Sequence, residues 1–479
     1  MFTKETYIQR RAELKSKVPG GLLLFLGNNL VGMNYADNEY PFRQDSSFLY
    51  YFGLDTPGLA AIIDIDNDHE ILFGNDPTID DIVWMGTQPS LKEKAILVGI
   101  YETYPLSQFA THINKAISQH QHIHFLPPYR GDHRVWLQEL LGISPFQQES
   151  AVSQQMILAI ANMRNHKTPE EVAEIEKAVD ISVDMHLKMM QMVRPGIHEA
   201  EVRAAVTAIA QSHQGGDNAF PVIATTHGQT LHNHGYIHTA AQGDMFLLDA
   251  GAEVASHYCG DLSSTCPVGT DFTPRQKDIY NNCLSAHQAA VATLAPGVPF
   301  REAHLAAATT IAQGMKDLGL MNGDPQEAAN TGAYALFFQC GLGHMMGLDV
   351  HDMENLGERY VGYDIFADPA EAAHPHCPLS YNAKSTQFGF KSLRLARPLE
   401  PGFVLTIEPG IYFIPELIDR WKAENRFPGF YNWDRIEQYR HFGGLRNEEN
   451  YLITTQGARL LGNKRKPMTI DQVLQAKNR

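Results

Sequence analysis

In five places between positions 247 and 450, acidic or imidazole side chains close an apolar run or sit in a glycine turn beside one. A fold for this chain has to decide whether they meet. The first is Asp249, in Leu247-Leu-Asp-Ala-Gly-Ala-Glu253. An Asp that ends a strand-like run and is followed by small residues is held rigidly with open space beside it, and glycine permits close backbone approach. Asp261 follows twelve positions later, in Gly260-Asp-Leu-Ser-Ser-Thr265. A hairpin would set the two side by side on adjacent strands. Two carboxylates that close repel unless cations neutralise them. His344 and His351 lie in Gly341-Leu-Gly-His-Met-Met-Gly-Leu-Asp-Val-His351. Glu408 ends the run Leu405-Thr-Ile-Glu-Pro-Gly-Ile-Tyr412, and Glu448 and Glu449 both stand in Gly443-Gly-Leu-Arg-Asn-Glu-Glu-Asn450. Each alone has a plain reading: a turn residue, a core histidine, an edge-strand glutamate, an ion-paired Arg–Glu. Their joint context points to a metal.

The rest of the composition narrows the class. With 479 residues the chain is too long for one core and fits two domains. Hydrophobic residues make up 44% and charged residues 19%, the balance of an ordinary globular protein. A net charge of −16 argues against nucleic-acid or anionic-membrane binding. The 22 histidines supply the commonest metal ligand in quantity. Cys259, Cys266, Cys283, Cys340 and Cys377 are odd in number and show no C-x-x-C spacing, against a zinc ribbon or a disulfide framework. Val18–Leu26 is too short to span a membrane, and Glu5 and Glu13 interrupt the basic stretch before it. It reads as a buried strand, and a cytoplasmic location is expected.

The expected organisation is α/β with two domains, 1–160 and 161–479. In the first, a helix over Thr3–Lys17 precedes strands at Gly21–Leu26 and Leu59–Ile65, the latter paired with Glu70–Phe73 across a turn at Asp66–Asp68. The sheet is mixed. The aromatic run Tyr40–Gly53 reads as packing or a subunit contact, with a substrate wall as the alternative. In the second domain, Lys167-Thr-Pro-Glu-Glu171 predicts a helix start, with Thr168 as cap, Pro169 first in the helix and Glu171 closing a capping box. Helices are predicted over Glu199–Gln211, Pro274–Leu294 and Phe300–Leu318. Strands are predicted at Phe220–Ala224, Met245–Asp249 and Val254–Tyr258, and the tail from Gly402 to Ile453 reads as strands separated by turns.

Asp249-Ala-Gly, Asp261-Leu-Ser-Ser-Thr, Gly343-His344, Thr406-Ile-Glu-Pro-Gly-Ile-Tyr412 and Gly444-Leu-Arg-Asn-Glu448, in that order, resemble the pita-bread metallopeptidases. The aromatic segment with Ala61-Ile-Ile-Asp-Ile-Asp66 is similar to the amino-terminal domain of the prolidase and aminopeptidase P branch. The resemblance implies a mixed-sheet amino-terminal α/β domain and an α+β pita-bread catalytic domain. It implies five metal ligands: Asp249 on one ion, Asp261 and Glu448 bridging two, His344 and Glu408 on the second. Such an oxygen-rich set favours Mn²⁺, with Co²⁺, Fe²⁺ or Zn²⁺ as alternatives. Glu408 would also carry the proton between water and the leaving nitrogen.

By the same resemblance, His232 and His351 contact the substrate and Arg446 stands beside the site. Arg394, in Lys391-Ser-Leu-Arg-Leu-Ala-Arg397, falls where prolidases hold an arginine for the proline carboxylate, and a planar fork suits that task. The implied activity is hydrolysis of the Xaa-Pro bond in short peptides, dipeptides first. The alternatives are an aminopeptidase P acting on longer peptides and a pita-bread binding module with reduced catalysis. A homodimer or homotetramer built through the amino-terminal domain is implied. Three positions depart from the family pattern. Cys340 replaces a histidine four residues before His344. Asn447 replaces an apolar residue. The Asp249–Asp261 spacing is one residue longer than the family pattern.

Overall fold

Thr168 caps the helix Pro169–Met192 as its sequence predicts: its hydroxyl accepts from the Glu171 amide, and Glu171 reaches back to the Thr168 amide. The same box, Thr273 with Gln276, opens the helix Pro274–Thr293. Local chemistry of this kind fixes where helices begin. A computed structural model describes residues 2–363 and 384–478, so Cys377 lies outside the described residues. Two compact units divide between Met163 and Arg164.

The first unit carries a five-stranded mixed sheet. Its order is Glu102–Pro105, His69–Gly74, Ala60–Asp64, Leu22–Leu26 and Ile123–His124. The predicted pairing across Asp66–Asp68 is present, with Ala60 opposite Phe73 and Asp64 opposite His69. Leu22, Leu24, Ile62 and Phe73 pack with Phe109 and Ile113 into one core. In the aromatic run, Ser46–Phe52 is a helix whose every residue is buried, so these aromatics are packing.

In the second unit the strand Met245–Ala250 lies between Leu262–Pro267 and Ile223–Thr225, antiparallel to both. A second sheet joins Val404–Ile407, Glu449–Thr454 and Gly457–Leu460. A short ribbon pairs Gly410–Tyr412 with Gly444–Arg446. Long helices cover Pro169–Met192, Glu199–Ser212, Pro274–Thr293 and Phe300–Asp317. Two expectations need correction. Val254–Tyr258 is a turn rather than a strand, with His257 at φ 66°. The tail also holds helices, Pro415–Ala423 and Trp433–Glu437, between its strands. Apolar alternation over a few residues does not distinguish a strand from a buried turn. Among the described residues, no helix is long and apolar enough to cross a membrane.

Candidate metal centre

The site is built where the two sheets and the ribbon bring their acidic ends together. Ser263 stands opposite Asp249 in the register. Asp261, two residues before Ser263, is therefore the diagonal neighbour of Asp249 on the same face rather than its direct partner. Gly251 allows this approach: a Cβ there would lie 1.8 Å from the Gly260 carbonyl oxygen. Gly343 serves the other side, where a Cβ would meet the Thr406 carbonyl oxygen at 2.1 Å. That contact seats the His344 turn on the Glu408 strand. The Thr406 amide donates to the His344 carbonyl, and the Thr406 hydroxyl accepts from the His344 amide.

His344 donates from Nδ1 to the Met345 carbonyl at 3.0 Å. This leaves Nε2 as the bare nitrogen, 3.3 Å from Asp261 Oδ2 and 3.5 Å from Glu408 Oε1. Ligand atoms of Asp261, His344 and Glu448 all lie within 4.8 Å of one another. Asp249 and Glu408 both raise the proton affinity of Glu448, and Asp249 that of Asp261. Of the five side chains expected from sequence, Asp261, His344 and Glu448 thus gather at ligand distance, Glu408 borders His344, and Asp249 acts on the group electrostatically.

Electrostatics mark the cluster as incomplete by itself. Asp261 and Glu448 are buried, and Asp261 Oδ1 and Glu448 Oε1 have no hydrogen-bond partner. Burial, reinforced by the neighbouring carboxylates, pushes both carboxyls well above the usual range, and Glu408 is raised for the same first cause. Buried like charges with open lone pairs are costly unless a cation fills the space. The donor set, four carboxylates and one imidazole nitrogen with its lone pair free, fits hard divalent ions.

Around this core, Arg446 is buried and fully engaged. Its Nε donates to Ser263 Oγ at 2.9 Å and its Nη1 to Tyr412 Oη at 2.7 Å, while Nη2 reaches Asp249 Oδ2. Ser263 in turn donates to Glu448 Oε2 at 2.8 Å. Asn450 brackets the Asp261 backbone on both its N–H and its carbonyl. Sequence reading missed Ser263, Tyr412 and Asn450. The available signal was spacing: each lies two or four residues along the chain from a candidate ligand. Glu449, next to Glu448, lies instead beside Lys466 and Arg465.

His351 stacks edge-on against His344, ring centres 4.1 Å apart, and its Nδ1 lies 2.9 Å from Glu354 Oε2. His232 sits in the loop after Ile223–Thr225. Partial burial, with Arg446 nearby, lowers its pKa, and Asp249 and His351 also act on it. Arg394 lines a pocket with His344, His351, Met345 and Val361. There it is ion-paired with Glu354 and, at 3.4 Å, with Glu358. Cys340 lies beside Glu408 and Tyr412, and burial pushes its thiol up to about 12.

Residues 173–455 match the sequence profile of Metallopeptidase family M24, and residues 7–152 match that of the aminopeptidase P N-terminal domain. The chain belongs to metallopeptidase family M24. This M24 metallopeptidase is 27% identical to a Xaa-Pro aminopeptidase of Haemophilus influenzae over 477 residues, 96% of this chain and 94% of the relative. It is 28% identical to the Xaa-Pro dipeptidase of Homo sapiens over 474 residues, 95% of this chain and 89% of the relative. Proline aminopeptidase P II from Yersinia pestis superposes with a TM-score of 0.77 over 100% of both chains at 24% identity. That likeness fixes the fold, an amino-terminal mixed-sheet domain followed by a pita-bread catalytic domain.

Proposed function

We propose that this metallopeptidase cleaves the Xaa-Pro bond of short peptides, dipeptides first. Asp249, Asp261, His344, Glu408 and Glu448 would hold two divalent ions, Mn²⁺ before Co²⁺, Fe²⁺ or Zn²⁺. When bound, such a pair supplies Lewis acidity toward a peptide carbonyl and acidifies water. Glu408 would take the proton released there and return it to the leaving nitrogen. His351, oriented through Nδ1 by Glu354, would present Nε2 to the substrate, and His232 would meet its leaving side.

The observation that carries the dipeptide reading is Arg394, on the wall of the pocket that begins at His344. A guanidinium there can grip the free carboxylate of a terminal proline. The names of the relatives, one an aminopeptidase and one a dipeptidase, support the Xaa-Pro bond as the target. One observation favours the second reading, an aminopeptidase on longer peptides: Glu354 and Glu358 already pair with Arg394, so a substrate carboxylate must compete with them.

Comparing Gly-Pro with Xaa-Pro-Xaa substrates in Mn²⁺ tests this. Faster turnover of the dipeptide is expected, and Arg394→Ala should raise the dipeptide KM by about 10-fold or more while sparing the longer peptide. Slow dipeptide turnover would reverse the order of the two readings. Binding of fewer than one ion per chain after manganese loading would instead support a module without catalysis.

A further inference from the structure

The loop that carries His232 has a neck, and one side chain closes it. The loop leaves the strand Ile223–Thr225, which pairs with the strand of Asp249, and returns at Thr239, which bridges to His198. Glu199, the first residue of the helix Glu199–Ser212, is fully buried at 0% exposure. Its Oε1 accepts from the Thr225 hydroxyl at 3.0 Å, from the Thr226 amide at 2.8 Å and from the Thr226 hydroxyl at 3.1 Å. Its Oε2 accepts from the His238 amide at 3.1 Å, and its own amide donates to the His238 carbonyl at 3.0 Å. A single carboxylate thus ties the outgoing and the returning chain. The rings of His227 and His238 stack across the same neck, 3.9 Å apart.

The grip extends inward. Thr225 spends its one hydroxyl proton on Glu199, which leaves its oxygen to accept. It takes the His227 amide at 2.9 Å and the Asn233 side-chain amide at 3.0 Å. Asn233 is the neighbour of His232. A path of three hydrogen-bonded groups therefore runs from the Glu199 carboxylate to the residue next to the histidine. Every side-chain contact of Glu199 is with a donor. Only an acceptor-only group satisfies them all, which a carboxylate is and an amide is not. Loops of this kind wander when their ends are not pinned, and catalytic geometry is sensitive to shifts of an ångström.

We propose that Glu199 is a positioning residue for peptide hydrolysis: its buried carboxylate locks the neck of loop 226–238 and so holds His232 at the cleft beside Asp249. This rests on the reading of His232 as a substrate-side group.

The test uses the full chain loaded with Mn²⁺ and four variants: Glu199→Gln, Thr225→Val, His232→Ala and the double variant Glu199→Gln/His232→Ala. Glu199→Gln should lower kcat/KM on a Xaa-Pro substrate by about 10-fold to 100-fold, with the metal content unchanged. In the His232→Ala background the same substitution should cost less than about 2-fold, because the residue acts through that histidine. Thr225→Val, which keeps the shape and removes the relay hydroxyl, should reproduce much of the loss and covers the case in which Glu199→Gln does not fold. Equal losses in both backgrounds, or loss of metal, would overturn the proposal. So would full activity in His232→Ala. Amide hydrogen exchange gives a readout that needs no substrate. Thr226 and His238 should exchange at least about 10-fold faster in Glu199→Gln, with the strand Met245–Ala250 unaffected. Unchanged exchange at the neck sinks the clamp even if no proline peptide proves to be a substrate, whereas faster exchange without peptidase activity refutes only the functional reading.

Discussion

Arg446 donates from Nη2 to Oδ2 of Asp249 across 2.5 Å, deep in the site, with its other two nitrogens fixed by Ser263 and Tyr412. The guanidinium fork matters here as much as the charge. A lysine would keep the charge but has one nitrogen for three partners in three directions. Arg446→Lys should therefore lower kcat by about 10-fold to 100-fold with little change in metal content. Steady-state kinetics beside metal analysis on the same sample decide this. Wild-type turnover in Arg446→Lys would show that charge alone is enough.

Asp261 and Glu448 predict how the protein responds to chelation. Each presents an oxygen without a hydrogen bond, and the two stand among further carboxylates. Removing the ions should lower the melting temperature, since a ligand at about 100 times its Kd contributes about 2.7 kcal/mol to the folded state. Asp261→Asn should do the opposite in stripped protein. It removes the cost of either charging or protonating that buried carboxyl, so the metal-free variant melts above the metal-free parent, yet it binds less metal and turns over no substrate. Thermal melts with and without EDTA read both effects. A stripped Asp261→Asn that melts below the stripped parent would contradict the account of mutual repulsion.

What could be read from sequence was whatever is local or strongly patterned. The box at Thr168 and Glu171 marked a helix start correctly because its partners are three residues apart. Asp249 and Asp261 were legible as a pair, but their diagonal relation was not. It depends on a register set by the chain between them, which folds as a turn through His257 rather than as a tight hairpin. Ser263, Tyr412 and Asn450 escaped notice because a serine, a tyrosine or an asparagine in a strand says nothing by itself about what it will touch. Glu199 was read only as the start of a helix. Its role depends on Thr226 and His238 meeting it from far along the chain. The pairing of Arg394 with Glu354 and Glu358 was likewise invisible, since it crosses about forty positions.

Two buried histidines outside the candidate metal centre weaken the fold in acid. His287 and His304 are buried, and burial pushes both from the ordinary 6.5 down to about 3. Folded, they stay neutral. Unfolded, they take up protons as soon as the pH falls below about 6.5. The unfolded state then binds more protons, so stability falls as the pH drops from there toward about 3. Each contributes a slope of about 1.4 kcal/mol per pH unit in that window. His304 lies in a nest of Tyr334, Phe338 and Phe390, so phenylalanine should fit its place. His304→Phe should flatten the stability profile by about 1.4 kcal/mol per pH unit between about pH 5.5 and about pH 4. Denaturant titrations across that range measure it, and an unchanged slope would mean that the ring is protonated in the folded protein.

Asp352, directly after His351, ties the histidine turn to the start of the catalytic unit. It accepts from Arg164 at 2.7 Å and from Lys167 Nζ at 2.8 Å, and the three side chains are 1–2% exposed. Its amide also donates to the Met345 carbonyl, so the turn from His344 to Asp352 closes on itself. Asp352→Asn would leave the Lys167 ammonium buried without a carboxylate, and breaking a buried pair in this way costs about 3–5 kcal/mol. Lys167→Met should cost less, because Arg164 still neutralises Asp352 and a methionine fills the volume of the lysine stem. The order Asp352→Asn worse than Lys167→Met follows from which charge is stranded. Urea unfolding at constant m-value resolves the two. Activity should fall with Asp352→Asn beyond what lost stability explains, since His344 and His351 share the turn it anchors. If Lys167→Met proves the more damaging, then Lys167 rather than Asp352 organises this corner.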